Sequence, residues 1–311
     1  MKQLIGFLII LSFSLPAFAA FDDTGWGARP LGMGGAFTAV ADDANGPLFN
    51  PAGSAQTTQK EATFMSAQLF TGLEGVQIAQ NYFGYVQPLG GKMGSVSIAY
   101  ASLSAPGYYL ENTGCISYGK FFDSLSSENI KVSLGASAVY LSHQYTLDQY
   151  TMHDPVFANG NTGSALTADV GALVVLPKTG ISLAYVSKYI NNPNVGLLTE
   201  DIVSNENVAA VAYYTDMLPF LHLPRFTIDT DVVNQNDTPT DVRIGAETWL
   251  MDGKFAVRMG ENASEVSMGF GYVLGFKNSG TSLVIDYSFG WPLQIEETTG
   301  SHRIAVTVRF P

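Results

Sequence analysis

The chain is short of cysteine, of charge and of long apolar runs, and each shortage closes off a class of protein. Cys115 is the single cysteine among 311 residues. No internal disulfide can form, and with no second thiol or ligand spacing near it the residue reads as a small apolar filler. His143, His153, His222 and His302 are scattered; none makes a His-x-x-x-His or Cys-His pair, so neither a metal nor any other cofactor is implied. Only 14% of residues are charged, and 27 acids outnumber 15 bases. The resulting net charge of −12 is the wrong sign for a polyanion partner, which sets nucleic acid aside. Beyond the first twenty residues no long uncharged apolar run occurs. A helix therefore cannot carry the chain across a bilayer, and a membrane form has to be built of strands.

What is present begins with Lys2, an apolar run from Leu4 through Phe13, and Ser14-Leu15-Pro16-Ala17-Phe18-Ala19. One cation, a short greasy stretch and small residues at the cleavage positions predict a secretory signal over 1–19, cut after Ala19. Downstream, period-two runs recur. His302, Ile304, Val306, Val308 and Phe310 alternate with Arg303, Ala305, Thr307 and Arg309, and Leu283, Ile285, Tyr287 and Phe289 alternate with Ser282, Asp286 and Ser288. Such runs, bounded by Gly, Pro, Asn and Asp, predict strands near 61–70, 76–88, 93–103, 113–122, 129–142, 164–176, 180–190, 207–215, 225–233, 240–250, 253–260, 264–276, 280–290 and 301–310. The count is about fourteen, and weak alternation in 76–88 leaves twelve or sixteen open.

The predicted fold class is all-β: a transmembrane antiparallel barrel of about 14 strands over 60–311, in the bacterial outer membrane and in contact with its lipid. Connection lengths agree, since the stretches 143–163 and 191–206 fall at odd, external positions, while 177–179, 251–253 and 277–280 fall at even ones and carry tight-turn residues. Two cases depart from this rule: the even segment 216–224 is long and partly apolar, and the odd segment Glu261-Asn262-Ala263 is short. Turning Phe310 and its strand-mates toward lipid puts Asp229, Asp231, Arg243, Glu247, Arg258, Asp286, Arg303 and Arg309 inside, where they are expected to pair across the lumen. They serve either as a structural ladder that holds wall or plug, or as a path for a ligand or ion.

Residues 20–59 do not alternate. Gly32-Met33-Gly34-Gly35 is small and flexible, and the Asn45-Gly46 and Asn50-Pro51 steps are turn formers. The glycines lack the buried strand, the Gly-Lys-Ser/Thr and the following acid that a nucleotide loop needs. A compact plug inside the barrel is the predicted role, with Arg29, Asp42 and Asp43 available to pair with Asp286, Arg303 or Arg258. His143, His153 and Asp154, in or beside the longest external loop, are the candidates for a membrane-embedded hydrolase, but no Gly-x-Ser-x-Gly accompanies them.

Gly27-Ala28-Arg29, Met33-Gly34-Gly35-Ala36-Phe37, Ala39-Val40-Ala41-Asp42-Asp43 and Asn50-Pro51-Ala52-Gly53 resemble the N-terminal signature of the PorV and PorQ group of outer-membrane proteins, relatives of the long-chain fatty acid transporter FadL. Arg243-Ile244-Gly245-Ala246-Glu247, Phe255 to Gly260, Gly269-Phe270-Gly271-Tyr272 and Asp286-Tyr287-Ser288-Phe289 resemble the same group. The resemblance implies a fourteen-stranded barrel whose N-terminal segment is a hatch, with Asn50, Pro51 and Ala52 as its Asn-Pro-Ala element. It also implies one of two functions: passage or binding of long hydrophobic molecules, as in proteins similar to FadL, or a scaffold for exported proteins and type IX-like secretion machinery, as in those like PorV. An apolar patch continuous from the external loops into the lumen would favour the first, and a sealed barrel with a flat loop surface the second.

Overall fold

The computed structural model describes residues 20–21, 25–73, 75, 77–219, 221–236, 238–276 and 279–311; the signal expected over 1–19 lies outside them. Fourteen strands form: β1 Lys60–Leu69, β2 Ile78–Pro88, β3 Ser95–Ala105, β4 Tyr109–Phe121, β5 Lys131–Tyr145, β6 Thr162–Leu176, β7 Ile181–Lys188, β8 Glu206–Leu218, β9 Leu223–Gln235, β10 Asp241–Leu250, β11 Phe255–Glu261, β12 Glu265–Gly275, β13 Ser282–Pro292 and β14 Ser301–Phe310. Each pairs antiparallel with its neighbours in sequence, and β1 pairs with β14, from Lys60 against Phe310 to Gln68 against His302. The sheet therefore closes and leaves no edge, which is the condition for strands to sit in lipid.

Period two turns alternate side chains to opposite faces. On β14, Ile304 and Val306 are exposed while Arg303, Ala305 and Thr307 are buried. On β12, Val266, Met268, Phe270 and Tyr272 are exposed and Ser267 is buried. The apolar face is thus the outer one, as a bilayer requires and as a water-soluble core would reverse.

Even connections are short, as at 177–180 and 251–254, and the longest ones, 146–161 and 189–205, are odd. The short-turn end is the periplasmic one. The even segment 216–224 conforms after all, since β8 runs to Leu218 and β9 starts at Leu223, while the odd connection between β11 and β12 is indeed short, at 262–264.

Between Gly25 and Gln56 the chain forms one short helix, α1 (Ala28–Gly32), and two 3-10 turns, Gly46–Leu48 and Pro51–Gln56. Nearly every residue of this stretch is buried. Helix α1 packs on β11 to β14, whereas the Pro51–Gln56 turn packs on β4, β5 and β6. Those two arcs face each other across a fourteen-strand ring, so a segment touching both runs through the lumen.

Candidate functional site

The segment is held by two kinds of contact. Gly119, Gly135 and Gly171 stand directly opposite one another on β4, β5 and β6, and a methyl group on any of them would collide with Asn50, Pro51 or Ala52. Three missing side chains in register make a groove, and the turn lies in it. Asn50 builds that turn: its side-chain oxygen accepts from Ala52 N–H at 3.0 Å, its Nδ2 donates to Thr38 O at 3.0 Å, and Pro51 supplies a pre-set first residue. Ser133 Oγ on β5 donates to Ala52 O at 2.8 Å.

Across the lumen a second pair of glycines, Gly245 on β10 opposite Gly260 on β11, accepts Met33, which is fully buried against their backbones. Gly34 has φ +65 and lies against the backbone of Glu261, so both its conformation and its space forbid a side chain. Its N–H donates to Ser267 Oγ at 2.9 Å, and Asn262 Nδ2 donates to its carbonyl at 3.0 Å. Gly35 packs on the stem of Arg243.

The charged contacts lie on the same arc. Arg29 donates from Nε and Nη2 to the two carboxylate oxygens of Glu247 at 3.0 and 2.9 Å, and from Nη1 to Asp42 at 2.6 Å and Asp43 at 2.8 Å. Its guanidinium also lies 5.1 Å from the centre of the Phe37 ring. Arg258, directly opposite Glu247 in register, donates to it at 2.6 Å and to Asp286 at 2.7 Å. Asp231 accepts from the N–H groups of Phe37 and Thr38, and Asp229 from Ala39. Arg243 pairs with Asp241, Arg303 with Glu265 and Arg309 with Glu61.

All eight inward charges named from the sequence thus face the lumen, but their pairing differs from the expectation. They bond along the wall, within a strand or to one no more than two strands away, or inward to the segment, and not from wall to opposite wall. The wall partner of Arg29 is Glu247, not Asp286, Arg303 or Arg258; Asp42 and Asp43 pair with Arg29 itself. Sequence reading missed Glu61, Glu265 and the buried Lys188–Glu206 pair at 2.8 Å. Register would have found two of these, since Glu61 opposes Arg309 and Lys188 opposes Glu206.

The opposite arc carries an apolar cluster beside buried polar groups, Gln80, Glu111 and His143 among them. Met65 and Leu69 on β1, Ala99 and Ala101 on β3, Cys115 on β4 and Val139 and Leu141 on β5 form one buried cluster with Phe21 and Ala28. Val195 and Val203, from the external connection 189–205, are 1% exposed and belong to the same cluster. The loop therefore folds down onto the lumen. His143 fixes it there, with Nε2 2.8 Å from Val195 O, amid the rings of Phe21, Tyr109 and Tyr145. His143 sits on β5 facing inward, whereas His153 and Asp154 lie exposed in the 146–161 connection, where Asp154 caps a turn by accepting from Val156 N–H at 2.9 Å. The three hydrolase candidates do not converge. At the periplasmic mouth a cavity of about 580 Å³ opens, lined among others by Asp42, Val40, Leu176, Tyr214 and Trp249.

No protein-family model and no curated protein matches this chain. Solved structures do. CymD, a monoaromatic hydrocarbon channel, superposes with a TM-score of 0.57 at 13% identity, over 94% of this chain and 98% of that one. The toluene transporter TodX of Pseudomonas putida gives 0.55 at 10% identity, over 94% and 99%. A FadL homologue from Pseudomonas aeruginosa gives 0.53 at 10%, over 91% and 98%. The fold is a FadL-type barrel. At these identities the likeness is one of fold alone.

Proposed function

We propose that this FadL-type barrel passes small hydrophobic molecules across the outer membrane, with residues 20–59 as the plug that closes the lumen. The observation that carries this reading is the continuity of the apolar arc. It starts at Val195 and Val203 of an external loop, continues through Phe21, Leu69, Met65 and Leu141, and reaches Cys115 beside Pro47 of the plug. An apolar solute that replaces those contacts one by one exchanges like for like, whereas a polar solute would have to be desolvated without compensation. The charged arc and the glycine groove of β4, β5 and β6 anchor the plug, while the apolar cluster is held by contacts that an apolar solute can replace. Of the three structures of similar fold, one is a monoaromatic hydrocarbon channel, one a toluene transporter and one a FadL homologue, which fits the same class of cargo. Catalysis is no part of this reading.

The test is uptake of labelled toluene and of a labelled long-chain fatty acid by cells with and without the protein. Expression should raise uptake of at least one, and Val203→Asp, which puts a charge on the apolar arc at its entrance, should abolish the gain while leaving the barrel folded. Unchanged uptake overturns the reading.

A second reading, a PorV-like scaffold for exported proteins, is favoured by the tip of the 146–161 connection, where Tyr150 is 80% and Met152 55% exposed. Unchanged uptake together with a secreted protein that co-purifies through Tyr150 and Met152 would establish it instead.

A further inference from the structure

The lysines and arginines are sorted along the barrel axis. Arg29, Lys188, Arg243, Arg258 and Arg303 are buried inside. Every other lysine or arginine among the described residues lies at the periplasmic end. The external connections carry acids, Asp148, Asp154, Glu200, Asp201, Glu296 and Glu297 among them, and neither lysine nor arginine.

The periplasmic cations are spread around the circumference. Lys60 starts β1, Lys92 is in the β2–β3 turn, Lys120 is near the end of β4, Lys131 starts β5, Lys178 is in the β6–β7 turn and Lys254 in the β10–β11 turn. Asp123, Glu128, Asp216 and Asp252 share this end, and Asp123 meets Lys92 at 2.7 Å in a pair that is 81% and 64% exposed; such a pair leaves both groups open to other partners. Outward aromatic rings stand beside the cations. Lys60 is opposite Phe310, which stacks on Tyr85. Lys120 Nζ lies 5.6 Å from the centre of the Phe122 ring, and Tyr118, on the same outer face two residues earlier, is exposed.

We infer that this ring binds the anionic headgroups of phospholipids in the periplasmic leaflet. A ring with an ammonium beside it seats its apolar body among the acyl chains and its charge at phosphate level. Distribution around the whole rim fits a layer of headgroups, whereas a single protein ligand would meet cations on one side only. The absence of lysine and arginine from the external connections makes the preference one-sided and biases the barrel toward a single orientation. None of this depends on what crosses the lumen.

The experiment reconstitutes the full chain in phosphatidylcholine vesicles and measures, by electron spin resonance, how strongly spin-labelled phosphatidylglycerol and phosphatidylcholine of equal chain length associate with it. The native protein should prefer the anionic lipid by about threefold or more, and salt at about 0.5 M should erase most of that. K92Q/K120Q/K178Q/K254Q should remove the preference, while D148N/D154N/E200Q/D201Q should leave it unchanged. Heat-modifiable gel mobility reports folding, and K120Q/K178Q, with a partial loss, replaces the fourfold variant if that does not fold. Equal association of the two lipids with the native protein, or an undiminished preference in the folded lysine variants, overturns the inference.

Discussion

Arg29 and Glu247, 218 positions apart in the chain, meet fork to fork at 3.0 and 2.9 Å inside the barrel. A bidentate pair of this kind fixes both distance and plane, and burial makes its loss expensive. Arg29→Gln would leave Glu247, Asp42 and Asp43 facing one another with only Arg258 nearby. The expected cost is about 3–5 kcal/mol of plug docking. Liposome swelling with small sugars should show a gain in permeability, on a barrel that still shifts on heating in a gel. Arg29→Lys, which keeps the charge and loses the fork, should fall between the two.

The glycine row on β4, β5 and β6 makes a sharper comparison. Gly135→Val would drive a branched side chain into Pro51 and Ala52, whereas a methyl group at Gly114 on β4 meets nothing within 4 Å. Overpacking of this sort costs about 1–3 kcal/mol. Gly135→Val should lower the unfolding midpoint in urea and open the lumen to small solutes; Gly114→Ala should change neither.

Lipid contact can be checked on β14. Ile304 is 57% exposed on the outer face near the middle of its strand. Ile304→Arg should destabilise the barrel in vesicles by about 2–4 kcal/mol. Val156→Arg, on an exposed external loop, should stay within about 0.5 kcal/mol. Equal effects would place Ile304 outside the bilayer.

Much of this architecture is legible in the sequence because a barrel wall obeys a local rule. Alternation of Ile304, Val306 and Val308 with Arg303, Ala305 and Thr307 sets the facing without knowledge of any partner strand, and the same rule turns Asp229, Glu247 and Arg258 inward. What the sequence does not display is pairing. Arg309 meets Glu61 because β14 closes on β1, a contact set by the ends of the sheet, and Arg29 meets Glu247 because α1 packs on the inner face of β11 to β14. The glycine groove is hidden for the same reason: Gly119, Gly135 and Gly171 line up only when the register of three strands is known. The inward fold of the 189–205 connection left no periodic signal at all, since nothing in the sequence sets the buried Val195 and Val203 apart from the exposed Leu198 and Ile202 beside them.

Cys115 supplies a native reporter of plug movement. It is the only cysteine of the chain, it is 3% exposed on the inner face of β4, and its Sγ lies 3.9 Å from Pro47 O of the segment. A thiol reagent can reach it only after that segment shifts, because the wall closes the other side. In the native protein labelling by a small maleimide should be slow and should track the opening equilibrium of the plug. Arg29→Gln, which removes the anchor on the charged arc, should speed labelling by about tenfold or more for every 1.4 kcal/mol of docking lost. A saturating apolar solute that travels along Met65, Leu141 and Val139 should also change the rate, by covering the thiol or by displacing Pro47. Rates that are fast in the native protein and identical in Arg29→Gln would mean that Cys115 is open to solvent without any movement of the plug, and would remove the anchor role assigned to Arg29.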